Sequence, residues 1–309
     1  MSRISFTLRP MPPFSLRFTV WALRRRQNNI IDRWDGENYQ RIFVVGGQPV
    51  KVSISQKGAA GRPLLNVLGE GVNASRTEKL RRAITSSIEK MLGARKDLKD
   101  FYRLAESNKE LKYLATEFAG LKPPRFPDVF EALVNAFACQ QVSLDLGILL
   151  LNRLSEAYGR AFEDNGIVFH AFPAPEDLAA LLPEDFRNLG FSRQKGRAII
   201  ELSGALVKNE LDLAGLEDMS DEDASSSLYR IRGVGRWSAQ YVLLRGLGRI
   251  NTIPGDDVGA QRNIQSLFRL KERPDYEKIM RLTSRWKPYA GFVYFHFLLN
   301  RLEEKGSLS

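Results

Sequence analysis

Two adjacent carboxylates, Asp256 and Asp257, are the side chains of this sequence whose type and spacing best suit acid–base or electrostatic chemistry. Other common catalytic groups are scarce, because the 309 residues include only two histidines, His170 and His296, and a single cysteine, Cys139. One cysteine excludes an intramolecular disulfide, a protein-ligated iron–sulfur cluster and a cysteine-based zinc site. Since the histidines lie far apart in sequence, any chemistry must depend on carboxylates, lysines or backbone groups.

These two aspartates have a simple interpretation and a chemical one. An aspartate at the start of a helix is normally an N-cap, and either residue could be one. A carboxylate that faces a bound polyanion, however, weakens binding by repulsion unless it has a chemical role. When an N-glycosidic bond breaks, positive charge develops on the deoxyribose, and a fixed carboxylate stabilises that charge. It can also orient or deprotonate the attacking water.

A predicted hairpin of two helices, residues 228–247, lies shortly before the aspartates. One helix ends near Ile231, Gly233-Val234-Gly235 forms a tight turn, and the next helix begins near Arg236. The glycines permit positive φ and close approach of the backbone to a ligand, and Val234 can point inward. The free N–H groups of the second helix then face an anion such as a DNA phosphate, with Arg232 and Arg236 beside them. The alternative is an ordinary helix end followed by a new helix.

The overall charge favours a polyanionic partner. The sequence carries a formal net charge of +10 and a pI of about 9.7. It has no apolar run that approaches the roughly 18 residues of a membrane span, and its first ten residues lack the apolar block of a signal peptide. We therefore expect a cytoplasmic protein, associated with the nucleoid through DNA, that has no membrane partner.

The fold class predicted from the periodicities is α+β followed by an all-α core. Residues 1–118 form the predicted α+β domain, with an antiparallel sheet from strands near 4–8, 39–45, 50–54 and 64–68 and helices from about 14 to Arg24-Arg25-Arg26 and from Arg76 to Leu92. Residues 119–309 form the predicted helical domain, in two lobes with the active-site cleft between them. From about Asp97 onward no strand is predicted, and the helices cover Val129–Cys139, Leu144–Tyr158, Pro175–Leu181, Arg193–Val207, Asp221–Ile231, Trp237–Leu247, Val258–Leu270, Tyr276–Thr283 and Tyr289–Leu302.

Two segments together resemble the helix-hairpin-helix DNA glycosylase superfamily. They are Gly233–Tyr241 and, after it, Pro254–Gln261, which supply the hairpin and the Gly/Pro-rich loop with its aspartate. Within that superfamily the chain is most similar to the 3-methyladenine DNA glycosylase II, or AlkA-type, branch, a similarity that Leu189–Ile199 and Arg285–Tyr289 support. The resemblance covers Val129–Leu302 well and extends more loosely to the N-terminal domain.

The resemblance implies that Asp257 is the catalytic carboxylate and that Asp256 caps or supports the loop. The expected substrate is double-stranded DNA containing damaged bases, bound by a monomer. Relatives that also cut the strand through a Schiff base carry a lysine two residues after Gly235, where this chain has Trp237. Tryptophan cannot form that adduct, so we expect a monofunctional enzyme that hydrolyses the bond to an alkylated purine and leaves an abasic site.

The resemblance also places Trp237 and Tyr241 in the pocket for the extruded base. Their i, i+4 spacing puts both rings on one helix face, and an aromatic wall attracts the cationic rings of alkylated purines. The alternative is that both rings belong to the core. The last helix of the family prototype carries a further tryptophan where this chain has Leu298, so Trp21 and Phe137 are the candidates for a stacking partner.

The expected DNA contacts are Gly233, Gly235, Arg236 and Ser238 at the hairpin and Gln141 in the loop before the second core helix. By the resemblance, Gln141 fills the gap that the extruded base leaves; the alternative is a polar turn with Ser143 as N-cap. Arg24-Arg25-Arg26 is expected to be a solvated helix end. No metal or cofactor is required, although a monovalent cation could bind among the hairpin carbonyls.

Two other functions remain open at this stage. One is an 8-oxoguanine-type glycosylase with lyase activity, against which Trp237 argues because it replaces the lysine. The other is a non-catalytic DNA-binding protein that uses the same hairpin. That second alternative predicts that Asp257 is dispensable and that Trp237 and Tyr241 are buried in the core.

Overall fold

An antiparallel sheet of five strands forms the first part of the fold in the computed structural model, which describes residues 2–72 and 77–308. The strands are β1 (Ser2–Leu8), β2 (Arg33–Trp34), β3 (Asn38–Val45), β4 (Gln48–Lys57) and β5 (Leu64–Val72), in the order β1-β5-β4-β3-β2. Gly46 and Gly47 have φ of 59° and 80°, the backbone that the tight turn between β3 and β4 requires. The predicted antiparallel sheet is confirmed.

Helices make up most of the remaining described chain. They are α1 (Leu16–Arg24), α2 (Thr77–Met91), α3 (Lys99–Glu106), α4 (Lys109–Glu117), α5 (Val129–Cys139), α6 (Leu144–Tyr158), α7 (Pro175–Leu178), α8 (Pro183–Asn188), α9 (Arg193–Val207), α10 (Asp221–Tyr229), α11 (Arg236–Arg245), α12 (Val258–Leu267), α13 (Tyr276–Thr283) and α14 (Ala290–Glu304). The bounds of α5, α6, α9 and α13 agree with the prediction to the residue. Helices α3, α4 and α8 were not predicted, and the predicted start of α2 at Arg76 lies outside the described residues.

A short hairpin corrects the prediction that no strand follows Asp97. Strands β6 (Ala161–Asp164) and β7 (Ile167–His170) pair antiparallel, and Phe162 and Phe169 pack against Ile42 of the large sheet. Strands of four residues are too short for alternation to stand out. The signal that would have found them is Asn165-Gly166, whose φ values of 49° and 77° form the tight hairpin turn that this dipeptide favours.

Buried contacts join the beginning of the chain to its end. One core cluster combines Trp21 of α1, Phe101 of α3 and Phe118 with Phe292 and Phe295 of α14. The other joins the inner face of the sheet to α2, α5, α6, α9 and α11. Because both clusters mix early and late elements, the α+β part and the helical part share their cores. The predicted division at residues 118 and 119 stays a prediction.

A buried group of charges connects the sheet to α5. The Arg41 guanidinium of β3 donates to Asp32 at 2.7 Å and to Glu131 of α5, and the Tyr39 hydroxyl donates to Asp32 at 2.7 Å. All four side chains are buried. Removing one member of such a group leaves an unpaired charge in the interior, which is strongly unfavourable, so this contact fixes where α5 lies.

No helix among the described residues is both long enough and apolar enough to span a bilayer.

His296 of α14 is buried beside the core cluster that contains Trp21, Phe101 and Phe292. Its ring is 4.7 Å from that of Phe292 and 5.1 Å from that of Phe101, and Nδ1 lies 3.1 Å from the Phe292 carbonyl oxygen. Burial lowers the pKa of His296 to about 4. The imidazole is therefore neutral in the folded protein at neutral pH.

This lowered pKa predicts a pH dependence of stability. The unfolded chain binds a proton at His296 below about pH 6.5, whereas the folded chain does not until much lower pH, so protonation favours unfolding. The contribution of the neutral imidazole to the free energy of unfolding is fully present above about pH 6.5 and is lost as the pH falls. We expect the difference in free energy of unfolding between wild type and His296→Phe to change by about 1.4 kcal/mol per pH unit between about pH 6 and 4.5. Urea denaturation at several pH values measures this difference, and parallel curves for the two proteins would contradict the assignment.

Candidate active site

All eight site residues predicted from the sequence line one cavity of about 1230 Å³. It opens between the end of α1, the loop from α5 to α6, the turn before α11, the start of α12, and α14. The eight residues are Gln141, Gly233, Gly235, Arg236, Trp237, Ser238, Tyr241 and Asp257. The fold therefore brings together segments that are more than a hundred residues apart in the sequence.

Asp257 is at once a helix cap and a member of the cavity wall. Its Oδ1 accepts a hydrogen bond from the Ala260 N–H at 2.8 Å and so begins α12. Its Oδ2 accepts a hydrogen bond from the indole Nε1–H of Trp237 at 3.2 Å. The simple and the chemical interpretations of the aspartate are therefore compatible, because each uses a different oxygen.

Asp256 does not cap α12, so of the two roles expected for it, capping or supporting the loop, only the second remains. It forms two hydrogen bonds with the guanidinium of Arg236, from Nε at 2.7 Å and from Nη2 at 3.0 Å. That guanidinium also lies 3.8 Å above the ring of Tyr276. Asp256 and Tyr276 thus hold Arg236 in one place beside the turn. Arg232, on the other side of the turn, pairs with Glu201 at 3.1 Å.

Trp237 and Tyr241 form a stacked pair. Their ring centroids are 5.2 Å apart and their planes are inclined by 25°. Trp237 is half-buried, whereas Tyr241 is only 3% exposed. The alternative that the rings belong to the core therefore holds for Tyr241, although Tyr241 also lines the cavity. The Tyr241 hydroxyl accepts a hydrogen bond from Arg25 at 2.7 Å. Burial raises the pKa of Tyr241, although the positive charge of Arg25 acts in the opposite direction.

Neither Trp21 nor Phe137 supplies a further stacking partner, which corrects the sequence-based candidates. Both rings are wholly buried in the core clusters and neither lines the cavity. The third aromatic side chain of the cavity wall is Tyr294 of α14, whose pKa is raised well above its usual range by burial and by the charge of Asp257. Leu298, one turn further along α14, also lines the cavity. Sequence spacing on α14 could have suggested Tyr294, because i and i+4 share a face.

The expectation of a solvated arginine end on α1 is also wrong. Arg24 and Arg25 are buried, and Arg25 has a left-handed backbone (φ 65°) that turns its side chain back into the protein. There its guanidinium donates to the Tyr241 hydroxyl and, at 2.6 Å, to Oδ1 of Asn135. Arg26 is half-buried and pairs with Asp145 at 2.7 Å. Cys139 is half-buried and lines the cavity.

The turn before α11 has the predicted shape, with one difference. Gly233 has a φ of 82°, which favours glycine, but Gly235 has an extended backbone (φ −105°, ψ −174°) and is the N-cap of α11. Val234 is buried, as predicted. A Cβ at Gly235 would meet no atom within 4 Å, so the space in front of the helix is open. Within the described residues, the N–H groups of 236–238 have no hydrogen-bond acceptor.

Ser238 is 2% exposed, and its hydroxyl accepts a hydrogen bond from Gln140 Nε2 at 2.8 Å. The Ser238 hydroxyl therefore makes a contact within the protein, and a DNA contact at Ser238 stays a prediction. Gln140 Nε2 also donates to the Gly233 carbonyl. The carbonyls of Arg232 and Val234 accept no hydrogen bond from the described residues. A monovalent cation among these carbonyls stays a prediction.

Comparisons with known proteins give a consistent result. The family described as HhH-GPD superfamily base excision DNA repair protein matches residues 134–288. A DNA-3-methyladenine glycosylase of Bacillus subtilis is 32% identical over 216 residues, which cover 70% of this chain and 71% of that relative. The structure of a 3-methyladenine DNA glycosylase from Archaeoglobus fulgidus has a TM-score of 0.81 at 25% identity and covers 95% of this chain and 97% of its own. An 8-oxoguanine glycosylase/lyase from Clostridium acetobutylicum, bound to double-stranded DNA, has a TM-score of 0.74 at 17% identity. The match covers 98% of this chain and 96% of that one, and at this identity it shows only that the two proteins share a fold.

The open space at Gly235 gives a test of the anion site. Gly235→Asp places a charged N-cap in front of α11 without steric conflict, so we expect thermal stability to be retained or raised, since aspartate is a better N-cap than glycine. The same carboxylate occupies the site of a phosphate and repels it. We expect duplex DNA affinity to fall by about tenfold or more, equally for all sequences, in fluorescence anisotropy at fixed salt.

Gly61→Asp is the matched control for this variant. A Cβ at Gly61 also meets nothing within 4 Å, and the substitution adds the same charge in the loop between β4 and β5. It should leave DNA affinity close to that of the wild type. A loss that depended on DNA sequence, or equal losses for the two variants, would contradict a phosphate site at the turn.

Proposed function

Because the chain belongs to the HhH-GPD superfamily of base excision DNA repair proteins, we propose that it is a monofunctional DNA glycosylase that excises alkylated purines such as 3-methyladenine from double-stranded DNA. It acts as a monomer and leaves an abasic site. The observation that carries the proposal is the Asp257 carboxylate, fixed in the wall of a cavity beside two stacked aromatic rings. The named activities of the Bacillus and Archaeoglobus relatives support the substrate class.

The cavity suits a nucleotide that has left the helix stack. The phosphate backbone binds at the N–H groups of the turn, and the extruded base enters between α11 and α14. There the Trp237 ring offers a π-face to an electron-poor, positively charged alkylpurine. Such a base already leaves readily, so the site needs no general acid, in agreement with the absence of an ionisable histidine from the cavity wall.

Asp257 supplies the electrostatic part of the reaction. The bond between C1′ of the deoxyribose and the purine nitrogen breaks, and its electron pair leaves with the base. Asp257 stabilises the positive charge that develops on the sugar, water adds to C1′, and the carboxylate accepts the proton that the water loses. The hydrogen bond from Trp237 holds the reacting oxygen in one orientation, which preorganises the site before the base arrives.

The two alternative functions are weaker on the same geometry. Lyase chemistry needs an amine at the sugar, and Trp237 occupies the position of the family's lysine. Lys305, the lysine that lines the cavity, follows the end of α14 at its rim. For a non-catalytic DNA-binding protein, the burial of Tyr241 is expected, but the half-buried Trp237 and its bond to Asp257 are not.

Asp257→Asn tests the catalytic assignment without disturbing the fold. Asparagine is as good an N-cap as aspartate, so α12 should remain capped and thermal stability should remain close to that of the wild type. Loss of the negative charge should lower the rate of 3-methyladenine release from duplex DNA by about a hundredfold or more, while DNA affinity is retained or raised. Base release under single-turnover conditions measures this rate.

Asp275→Asn provides the control for that substitution. Asp275 is the N-cap of α13, where Oδ1 accepts from the Lys278 N–H at 2.8 Å, and it lies outside the cavity wall. The same change of charge and cap there should leave base release unchanged. Near-full activity of Asp257→Asn would show that the catalytic assignment is wrong.

Borohydride trapping separates the monofunctional enzyme from the lyase. With Trp237 in place of a lysine, the wild-type protein should give no covalent complex with DNA that contains a lesion or an abasic site. A lysine-bearing 8-oxoguanine glycosylase/lyase, trapped in parallel, serves as the positive control. A trapped band with this protein would overturn the monofunctional proposal, and its loss in Lys305→Met would identify the amine.

A further inference from the structure

The loop from α5 to α6 holds an unusual backbone at one of its exposed residues, Gln141. Gln141 is exposed, lines the cavity and has a φ of 54°. A residue with a Cβ rarely adopts this left-handed conformation, which persists only where surrounding contacts hold the chain. The loop comprises only residues 140–143, so those contacts must come from neighbouring elements.

Gln140 provides the first set of contacts. Its Nε2 donates to the Gly233 carbonyl and to the Ser238 hydroxyl, each at 2.8 Å. Gly233 belongs to the turn before α11 and Ser238 to the first turn of α11, whose free N–H groups form the proposed anion site. One side chain therefore ties the loop to the hairpin.

Lys195 of α9 provides the second set. Its Nζ donates to the Gln140 carbonyl at 2.8 Å and to the Ala138 carbonyl at 3.1 Å. These carbonyls lie on the two sides of Cys139, where α5 ends and the loop begins. These two hydrogen bonds fix the direction of the backbone at Cys139. The next residues along the chain include Gln141, which has the left-handed conformation.

We propose that Gln140 and Lys195 are positioning residues that hold Gln141 ready to enter the DNA stack in place of the extruded base. The inference rests on the proposed function, because it concerns the base-extrusion step of that reaction. Gln140 joins the phosphate site and the inserting side chain into one rigid unit. When the turn before α11 binds the DNA backbone, Gln141 is therefore placed at a fixed distance from the bound phosphate. Neither residue touches the base or the sugar; each acts through Gln141.

A double-mutant cycle tests whether Gln140 acts through Gln141. Single-turnover excision at saturating enzyme removes differences in DNA affinity. We expect Gln140→Ala and Gln141→Ala each to slow excision by about tenfold, and the double variant to be no slower than either. Independent effects, which would multiply to about a hundredfold in the double variant, would overturn the proposal.

Gln265→Ala is the matched control for Gln140→Ala. Gln265 Nε2 also donates to backbone carbonyls, those of Leu270 and Lys271, but it lies outside the cavity wall. It should leave excision at the wild-type rate. Thermal melting of every variant shows whether a loss of rate reflects a loss of folding.

Lys195 gives a second test that does not depend on Gln140. Lys195→Met removes both hydrogen bonds made by Nζ, whereas Lys195→Arg keeps N–H groups that can reach the same carbonyls, so arginine should restore most of the rate that methionine loses. Lys208→Met, at the other end of α9, removes the same charge as a control. An equal loss in the methionine and arginine variants, or in Lys208→Met, would overturn the positioning role.

Fluorescence of 2-aminopurine placed beside the lesion reports extrusion directly. The increase in fluorescence on extrusion should be smaller in Gln140→Ala and Lys195→Met than in the wild type. It should be unchanged in Asp257→Asn, because extrusion precedes bond cleavage. An unchanged amplitude in the first two variants would contradict the inference. If the wild-type protein extrudes the base but releases none, the proposed function fails while the positioning inference is still tested.

Discussion

The hydrogen bond from the Ala260 N–H to Asp257 is the contact on which the geometry of the cavity depends. It commits one carboxylate oxygen to the start of α12 and so determines the direction of the other. That second oxygen orients the indole of Trp237, Trp237 stacks on Tyr241, and the Tyr241 hydroxyl accepts from Arg25. The reacting group, the aromatic wall and the end of α1 are therefore linked by consecutive contacts. A shift of any one of them moves the others.

This series of contacts explains why the N-terminal part of the chain belongs to the site. Arg25 reaches the cavity because α1 packs against α14 in the core cluster that contains Trp21 and Phe292, and because the left-handed backbone at the C-cap of α1 reverses the chain. The charged group around Arg41 fixes α5 against the sheet, and α5 leads directly into the loop that carries Gln141. The sheet thus acts as a support, although none of its strands lines the cavity.

Much of the fold and part of the site followed from the sequence, for a physical reason. Asp257, Trp237 and Tyr241 were identified from local spacing and from the resemblance, and the helices with strong caps and periodicity were predicted to the residue. Arg25 and Tyr294 were not identified, because their roles arise from contacts with residues far away in the sequence; Arg25 and Tyr241, for example, are 216 positions apart. The β6–β7 hairpin is different, since Asn165-Gly166 was a local signal that went unused.

The paired state of the two arginines at the turn bears on how the protein would travel along DNA. Arg236 is neutralised by Asp256, and Arg232 by Glu201, so the turn presents backbone dipoles more than free charge. Each phosphate that took Arg236 would exchange one anionic partner for another, so the attraction gained at Arg236 would be partly offset by the loss of its bond to Asp256. These two arginines would then contribute little to holding the protein on undamaged duplex. A searching enzyme that must inspect a great many intact nucleotides gains turnover from brief residence at each of them.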